Sequence, residues 1–197
     1  YEFCKKASND DKSDYVFIID EINRGNLSKI FGELLMLIEA DKRGKSFAIP
    51  LTYSKNLNDT FHIPSNLHIV GMMNTADRSL AMVDYALRRR FTFIDLRPAF
   101  DSEDFRSFLG ENEVEAGVAE TIIDRMLKLN EEIRAEKTNL GPGFEIGHSF
   151  FCPQGTEDEL GIDWYRSIIR VEIAPLLREY WFDELDKAED MIAQLLE

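Results

Sequence analysis

The sequence predicts an α/β fold, a parallel sheet covered by helices, that gives way in the second half of the chain to a mostly helical part. Three observations carry this expectation. Tyr15-Val-Phe-Ile-Ile19 is an unbroken apolar run, rich in β-branched residues, that ends abruptly in Asp20 and Glu21, the pattern of a strand buried on both faces of a parallel sheet. Leu67-His-Ile-Val-Gly-Met-Met73 repeats the design and ends in the polar tip Asn74-Thr-Ala-Asp77. After Pro98 the alternation of strand-like and helix-like segments stops, and apolar residues recur at helical spacing to the end of the chain.

Taken in order, Tyr1-Glu-Phe-Cys4 reads as the last turn of a helix, and the polar loop from Ser8 to Asp14 feeds the first strand. Beyond the two acids, Asn26 or Ser28 suits a helix N-cap. Leu27, Ile30, Phe31, Leu34, Leu35 and Ile38 then keep one apolar face up to a stop at Gly44. Ser46 to Tyr53 and Thr60 to Ile63 are β-prone pieces around a polar turn, a hairpin whose Pro50 and Pro64 favour edge positions because neither donates to a ladder. Such a hairpin either touches a neighbour or covers the sheet edge.

The second strand and its tip lead into a helix opened by Ser79, with Leu80, Val83 and Leu87 inward, that closes on Arg88-Arg-Arg90. Cations at a helix C-terminus offset its partial negative charge, so the arginines have a local explanation. Phe91 to Leu96 alternates as a further strand. In the helical part, Asp101 caps a short helix through Leu109, and a long helix carries Ile122, Met126, Leu129 and Ile133. Gly141-Pro-Gly143 ends it, a turn-like piece spans Phe144 to Cys152, and helices follow on either side of Pro175, which should kink or divide them. A last amphipathic helix runs through Leu185, Ala188, Ile192 and Leu195. The expected boundaries are 1–97 for the α/β part and 98–197 for the helical one.

Composition narrows the function classes. The 197 residues carry 37 acidic and 23 basic side chains, a net charge of −14, so the general field of the chain does not attract nucleic acid. No apolar run approaches the about 18 residues that mark a membrane span. Two cysteines and three dispersed histidines fit neither a disulfide framework nor a zinc site, which points to a reducing cytoplasm. A start at Tyr1, with no initiator residue or targeting segment, suggests a piece of a longer protein.

The acids lie where the first strand surfaces, and in an open α/β sheet ligands bind in the crevice beyond the carboxyl ends of the strands. An Asp-Glu pair there suits a nucleotide site of the Walker B kind, the first acid holding Mg²⁺ through water and the second polarising an attacking water. By itself the pair is equally compatible with acids that cap the next helix. The second polar strand end argues for one shared crevice.

Phe17-Ile-Ile-Asp-Glu-Ile-Asn-Arg-Gly-Asn26, Met73-Asn-Thr-Ala-Asp-Arg-Ser79 and Val83-Asp-Tyr-Ala-Leu-Arg-Arg-Arg-Phe91 together resemble the AAA+ module of the McrB family. That family supplies the GTP-hydrolysing motor subunit of restriction systems that cut DNA bearing 5-methylcytosine with an McrC-type nuclease partner. The resemblance implies a partial P-loop NTPase core followed by a helical lid. It makes Asp20 the Mg²⁺-associated acid, Glu21 the residue that orients or deprotonates the attacking water, and Asn74 the sensor 1 amide near the γ-phosphate. Asp77 belongs to the same signature, with capping of the helix at Ser79 as its structural alternative. Arg89 and Arg90 become arginine-finger candidates for the nucleotide of a neighbouring subunit, which implies a ring, typically a hexamer. Methylated DNA would be read by another domain.

One departure bears on activity. No Gly-x-x-x-x-Gly-Lys-Ser/Thr occurs in the chain, and in this family that phosphate loop lies upstream of the Walker B strand. The expectation is that these residues alone neither bind GTP tightly nor hydrolyse it. Two other readings stand beside the GTPase: an ATP-driven remodelling motor, and a non-catalytic scaffold built on the same module.

Overall fold

A computed structural model describes residues 1–52, 59–74, 76, 88–136, 138–153 and 160–197. The chain divides into two compact units, Tyr1–Ile94 and Asp95–Glu197. Among the described residues no helix is long and apolar enough to cross a membrane.

In the first unit, helix α1 (Glu2–Ser8) precedes strand β1 (Tyr15–Ile19), which pairs in parallel with β4 (Leu67–Gly71) in the register Tyr15 to Leu67 through Ile19 to Gly71. The Asn66 amide lies within hydrogen-bonding reach of the carbonyls of Ala7, Asp10 and Ser13, at 3.1, 2.9 and 2.9 Å, and so closes the loop that delivers β1. Ala7, Leu37, Ile38, Phe61, Ile63 and Leu67 form the buried core. The hairpin is present but minimal: β2 (Ile49–Pro50) runs antiparallel to β3 (Thr60–Phe61), and Ile49 and Leu51 pack on that core. The turn expected between them, and the helix expected from Ser79, fall outside the described residues except at their ends.

Three expectations for this unit need correction. The middle of β1 is not buried: Val16, Phe17 and Ile18 are exposed, because among the described residues β4 is the strand it pairs with, and only its ends, Tyr15 and Ile19, reach apolar clusters. The helix expected from Asn26 to Gly44 lasts little more than a turn. Asn26 does cap α2 (Leu27–Phe31), its side chain accepting from the Lys29 amide at 2.9 Å, but Gly32 then takes φ +48°. A left-handed residue cannot continue a right-handed helix, so the path goes on as tighter 3₁₀ turns, Gly32–Ile38 and Ala40–Lys42. They are fastened to β4 by Arg43, whose guanidinium donates to the carbonyls of Ile38 and Leu67. Finally, Phe91–Leu96 is not a strand. Phe91 packs on the core, but Ile94 and Leu96 are exposed, and alternation alone does not supply a ladder partner.

The second unit is helical. Helix α3 (Glu103–Glu111) is capped by Ser102, whose Oγ accepts from the Phe105 amide at 3.1 Å, so the cap is one residue later than the expected Asp101. The long α4 (Ala116–Ala135) buries Val118, Ile122, Ile123, Met126, Leu129 and Ile133. Gly141, at φ +127°, opens a 3₁₀ turn, Pro142–Phe144. Pro175 does not divide its helix. Helix α5 (Ile162–Ile168) continues through a π-helical turn, Ile169–Ile173, into α6 (Ala174–Tyr180), and that wider turn gives the ring room where an α-helical carbonyl would clash. The last helix, α7 (Leu185–Leu196), is tied down at its end: the Leu195 carbonyl accepts from the Tyr165 hydroxyl at 2.8 Å and from Arg125 Nη1 at 2.6 Å.

Candidate functional site

The parallel ladder brings the two polar tips side by side and extends past the strands themselves. The Met72 amide donates to the Ile19 carbonyl and the Ile22 amide to the Met72 carbonyl, each at 2.9 Å. Asp20 and Glu21 on one tip are thus held beside Asn74 on the other. Asp20 is exposed, and its Oδ1 accepts from the Glu21 amide at 2.9 Å. Glu21 has left-handed backbone angles, φ 51° and ψ 43°, a conformation that costs a non-glycine residue about 1 kcal/mol and that collects at functional sites. Its Oε2 accepts from Arg24 Nε at 2.9 Å, with both side chains partly exposed.

Below the acids, Ile22 packs against the backbone of β4. A Cβ on Gly71 would lie 2.5 Å from Ile22 Cδ1, so a larger residue there would make the Ile22 side chain shift. Asn23 follows, 9% exposed; its Nδ2 donates to the Asn74 carbonyl at 3.4 Å, and its Oδ1 has no hydrogen-bond partner among the described residues. The Asn74 side chain folds back, its Oδ1 accepting from the Ala76 amide at 2.9 Å. Asp77 lies outside the described residues.

The arginines stand apart from this group in their contacts. Arg88 and Arg89 are exposed, whereas Arg90 pairs with Glu39, Nη2 to Oε1 at 2.9 Å. Sequence reasoning assigned no role to Asn23, Glu39 or Gly71. Asn23 lies among polar residues between Glu21 and Asn26, and Glu39 in a polar run like many others, so neither stood out.

The tip offers an oxygen donor set suited to a hard cation of the magnesium type, which keeps several waters and takes one or two carboxylates together with substrate phosphates. Asp20 supplies one such carboxylate, with Glu21 next to it, and no cluster of three or more potential ligands occurs among the described residues. The donor set fits Mg²⁺ held with a nucleotide.

Residues 4–91 match the AAA domain, dynein-related subfamily, and residues 121–189 match the McrB alpha-helical lid domain. Over its whole length the chain is 52% identical to the Type IV methyl-directed restriction enzyme EcoKMcrB subunit of Escherichia coli (strain K12), of which it covers 43%. The chain belongs to the McrB family. A more distant relative, the Type II restriction enzyme BsuMI component YdiS of Bacillus subtilis (strain 168), is 31% identical over 98 residues, 45% of this chain and 28% of that protein. The chain thus spans less than half the length of either relative. Membership in the McrB family makes the first unit an AAA domain and the second its helical lid, and places the strand tips in a fold that uses nucleotide and Mg²⁺.

Within the lid, His148 has a structural assignment. Its Nδ1 accepts from the Ala99 amide at 3.1 Å and its ring stands edge-on to Phe100 and Phe105.

Proposed function

We propose that this chain is the Walker B, sensor 1 and lid portion of a GTP-hydrolysing motor subunit in a modification-dependent restriction system. In this reading the motor assembles as a ring, takes DNA bearing 5-methylcytosine through a separate domain, and drives translocation and cleavage with a McrC-type nuclease. The juxtaposition of Asp20 and Glu21 with Asn74 across the parallel ladder carries the chemical part. The relationship to the Escherichia coli methyl-directed restriction subunit supports the biological part.

Each residue has a defined task. Asp20 would hold the water shell of a cation, which would offset charge on the phosphate oxygens. Glu21 orients the attacking water and accepts its proton, for which its carboxylate must turn from Arg24 toward the phosphates. Asn74 contributes a neutral amide that positions the same water without adding negative charge beside the phosphates. Catalysis of this kind is mostly placement and electrostatics, with little covalent work for the protein. In this reading the residues described turn over nucleotide only together with a phosphate loop, a motif that does not occur among them.

The match to a dynein-related AAA family keeps an ATP-driven motor as the second reading. One experiment separates them: turnover of GTP and of ATP with Mg²⁺ by the full-length protein, beside Glu21→Gln and Asn74→Ala. GTP-selective turnover, reduced by roughly two to four orders of magnitude in Glu21→Gln, supports the restriction motor. ATP selectivity favours the second reading, and full activity in both variants refutes the site.

A further inference from the structure

The turn that follows Asp20 is held by its backbone, and two opposite charges meet at its rim. The Arg24 amide donates to the Glu21 carbonyl at 2.9 Å and closes the 3₁₀ turn Ile22–Arg24. The Ile22 amide is bonded to the Met72 carbonyl, and Asn23 is buried with its Nδ2 on the Asn74 carbonyl. The side chains of Glu21 and Arg24 remain 42% and 60% exposed, with Oε2 of the one accepting from Nε of the other at 2.9 Å. An exposed pair of this kind contributes little to folding, and backbone bonds already close the turn. What the pair does determine is where the Glu21 carboxylate rests.

We propose that Arg24 is a brake on Glu21: the ion pair parks the carboxylate along its own turn, and hydrolysis proceeds from the molecules in which the pair is broken. The proposal rests on the hydrolysis reading above and adds regulation to it. In an open α/β sheet the ligand lies in the crevice beyond the strand ends, and a carboxylate engaged by Arg24 has to be released before it can hold a water there. The exposure of both partners makes the brake weak. It lowers the share of competent carboxylate by about 1.5- to 5-fold, so it grades turnover without stopping it, and any group that competes for either charge relieves it. An arginine whose task was to meet phosphate would act in the opposite sense, because its removal would slow the reaction.

The test uses the full-length protein and reads NTP turnover at saturating nucleotide, with the melting temperature as a check on folding. Arg24→Ala and Arg24→Gln should each raise turnover by about 1.5- to 5-fold, whereas Arg24→Lys, which keeps the charge, should stay nearer the wild type. The gain should shrink between about 0.05 and 0.5 M salt, since screening loosens the pair in the wild type and has nothing to loosen in the variants. It should also vanish when Arg24→Ala is combined with Glu21→Gln, because the brake acts through that carboxylate alone. Turnover that is unchanged or lowered in both folded Arg24→Ala and Arg24→Gln overturns the proposal, as does a gain that persists in the Glu21→Gln background or is indifferent to salt. Absence of turnover in the wild-type protein overturns the hydrolysis reading, and the brake with it.

Discussion

Asn130→Leu tests how the lid holds its turn-rich segment to its longest helix. Asn130 is 3% exposed on α4, and its side chain satisfies both main-chain groups of Ile146: Nδ2 donates to the carbonyl at 2.9 Å and Oδ1 accepts from the amide at 2.7 Å. Ile146 is itself buried. Leucine has the same branched outline and the same number of side-chain heavy atoms but no polar atoms, so the substitution leaves a buried N–H and a buried C=O without partners. Each such group costs about 1–3 kcal/mol. The two together cost about 2–6 kcal/mol, offset by about 1.5–3 kcal/mol if the new side chain packs fully. The midpoints of these ranges leave a net loss of about 2 kcal/mol, which in a unit of this size lowers the melting temperature by at least about 8 °C. Both tryptophans, Trp164 and Trp181, lie in this unit, so urea unfolding followed by tryptophan fluorescence reports on it. The midpoint should fall at an unchanged slope. A midpoint that stays put or rises would show that the Ile146 groups find other partners, and would refute the role given to Asn130.

Gly71→Ala should drive Ile22 from its seat, costing about 1–3 kcal/mol of stability through overpacking and lowering turnover of the full-length protein. Adding Ile22→Val, which removes the clashing Cδ1, should restore a good part of both, and a double variant no better than the single would disprove the contact. Glu189 has its carboxyl held below the ordinary carboxylate value by the hydrogen bond from Arg178 and by that residue's charge. A depressed carboxylate stabilises the fold above its unfolded value and loses that contribution as pH falls through its folded value. Acid titration should therefore show the wild type losing stability below about pH 4.5, with a shallower loss in that window for Arg178→Ala; identical curves would refute the linkage.

Local signals in the sequence were strong wherever one residue type decides the geometry. The two apolar runs and their polar tips are visible as text, and so is the buried stripe of Ile122, Met126, Leu129 and Ile133 that became one face of α4. What could not be read was the outcome of competition. The stripe from Leu27 to Ile38 has helical spacing, yet Gly32 adopts a positive φ and the path becomes 3₁₀. Phe91–Leu96 alternates, yet a strand exists only where a neighbour offers its amides and carbonyls. Pro175 looked like a divider, and a π turn absorbed it. At the site, the acids and Asn74 were legible as strand ends, but their closeness depends on register, which follows from the pairing of Ile19 with Gly71. The Glu39–Arg90 pair joins positions 51 residues apart through the fold alone.

The ladder between β1 and β4 does not stop where the strands do. Two further backbone hydrogen bonds, from the Met72 amide to Ile19 and from the Ile22 amide to Met72, splice the acid turn to the amide tip. In mechanical terms this couples the tips in one joint: Met72 cannot be drawn away from Ile19 and Ile22 without breaking both hydrogen bonds. On the hydrolysis reading proposed above, Asp20, Glu21 and Asn74 would travel through a cycle together, with hinging left to parts outside the joint.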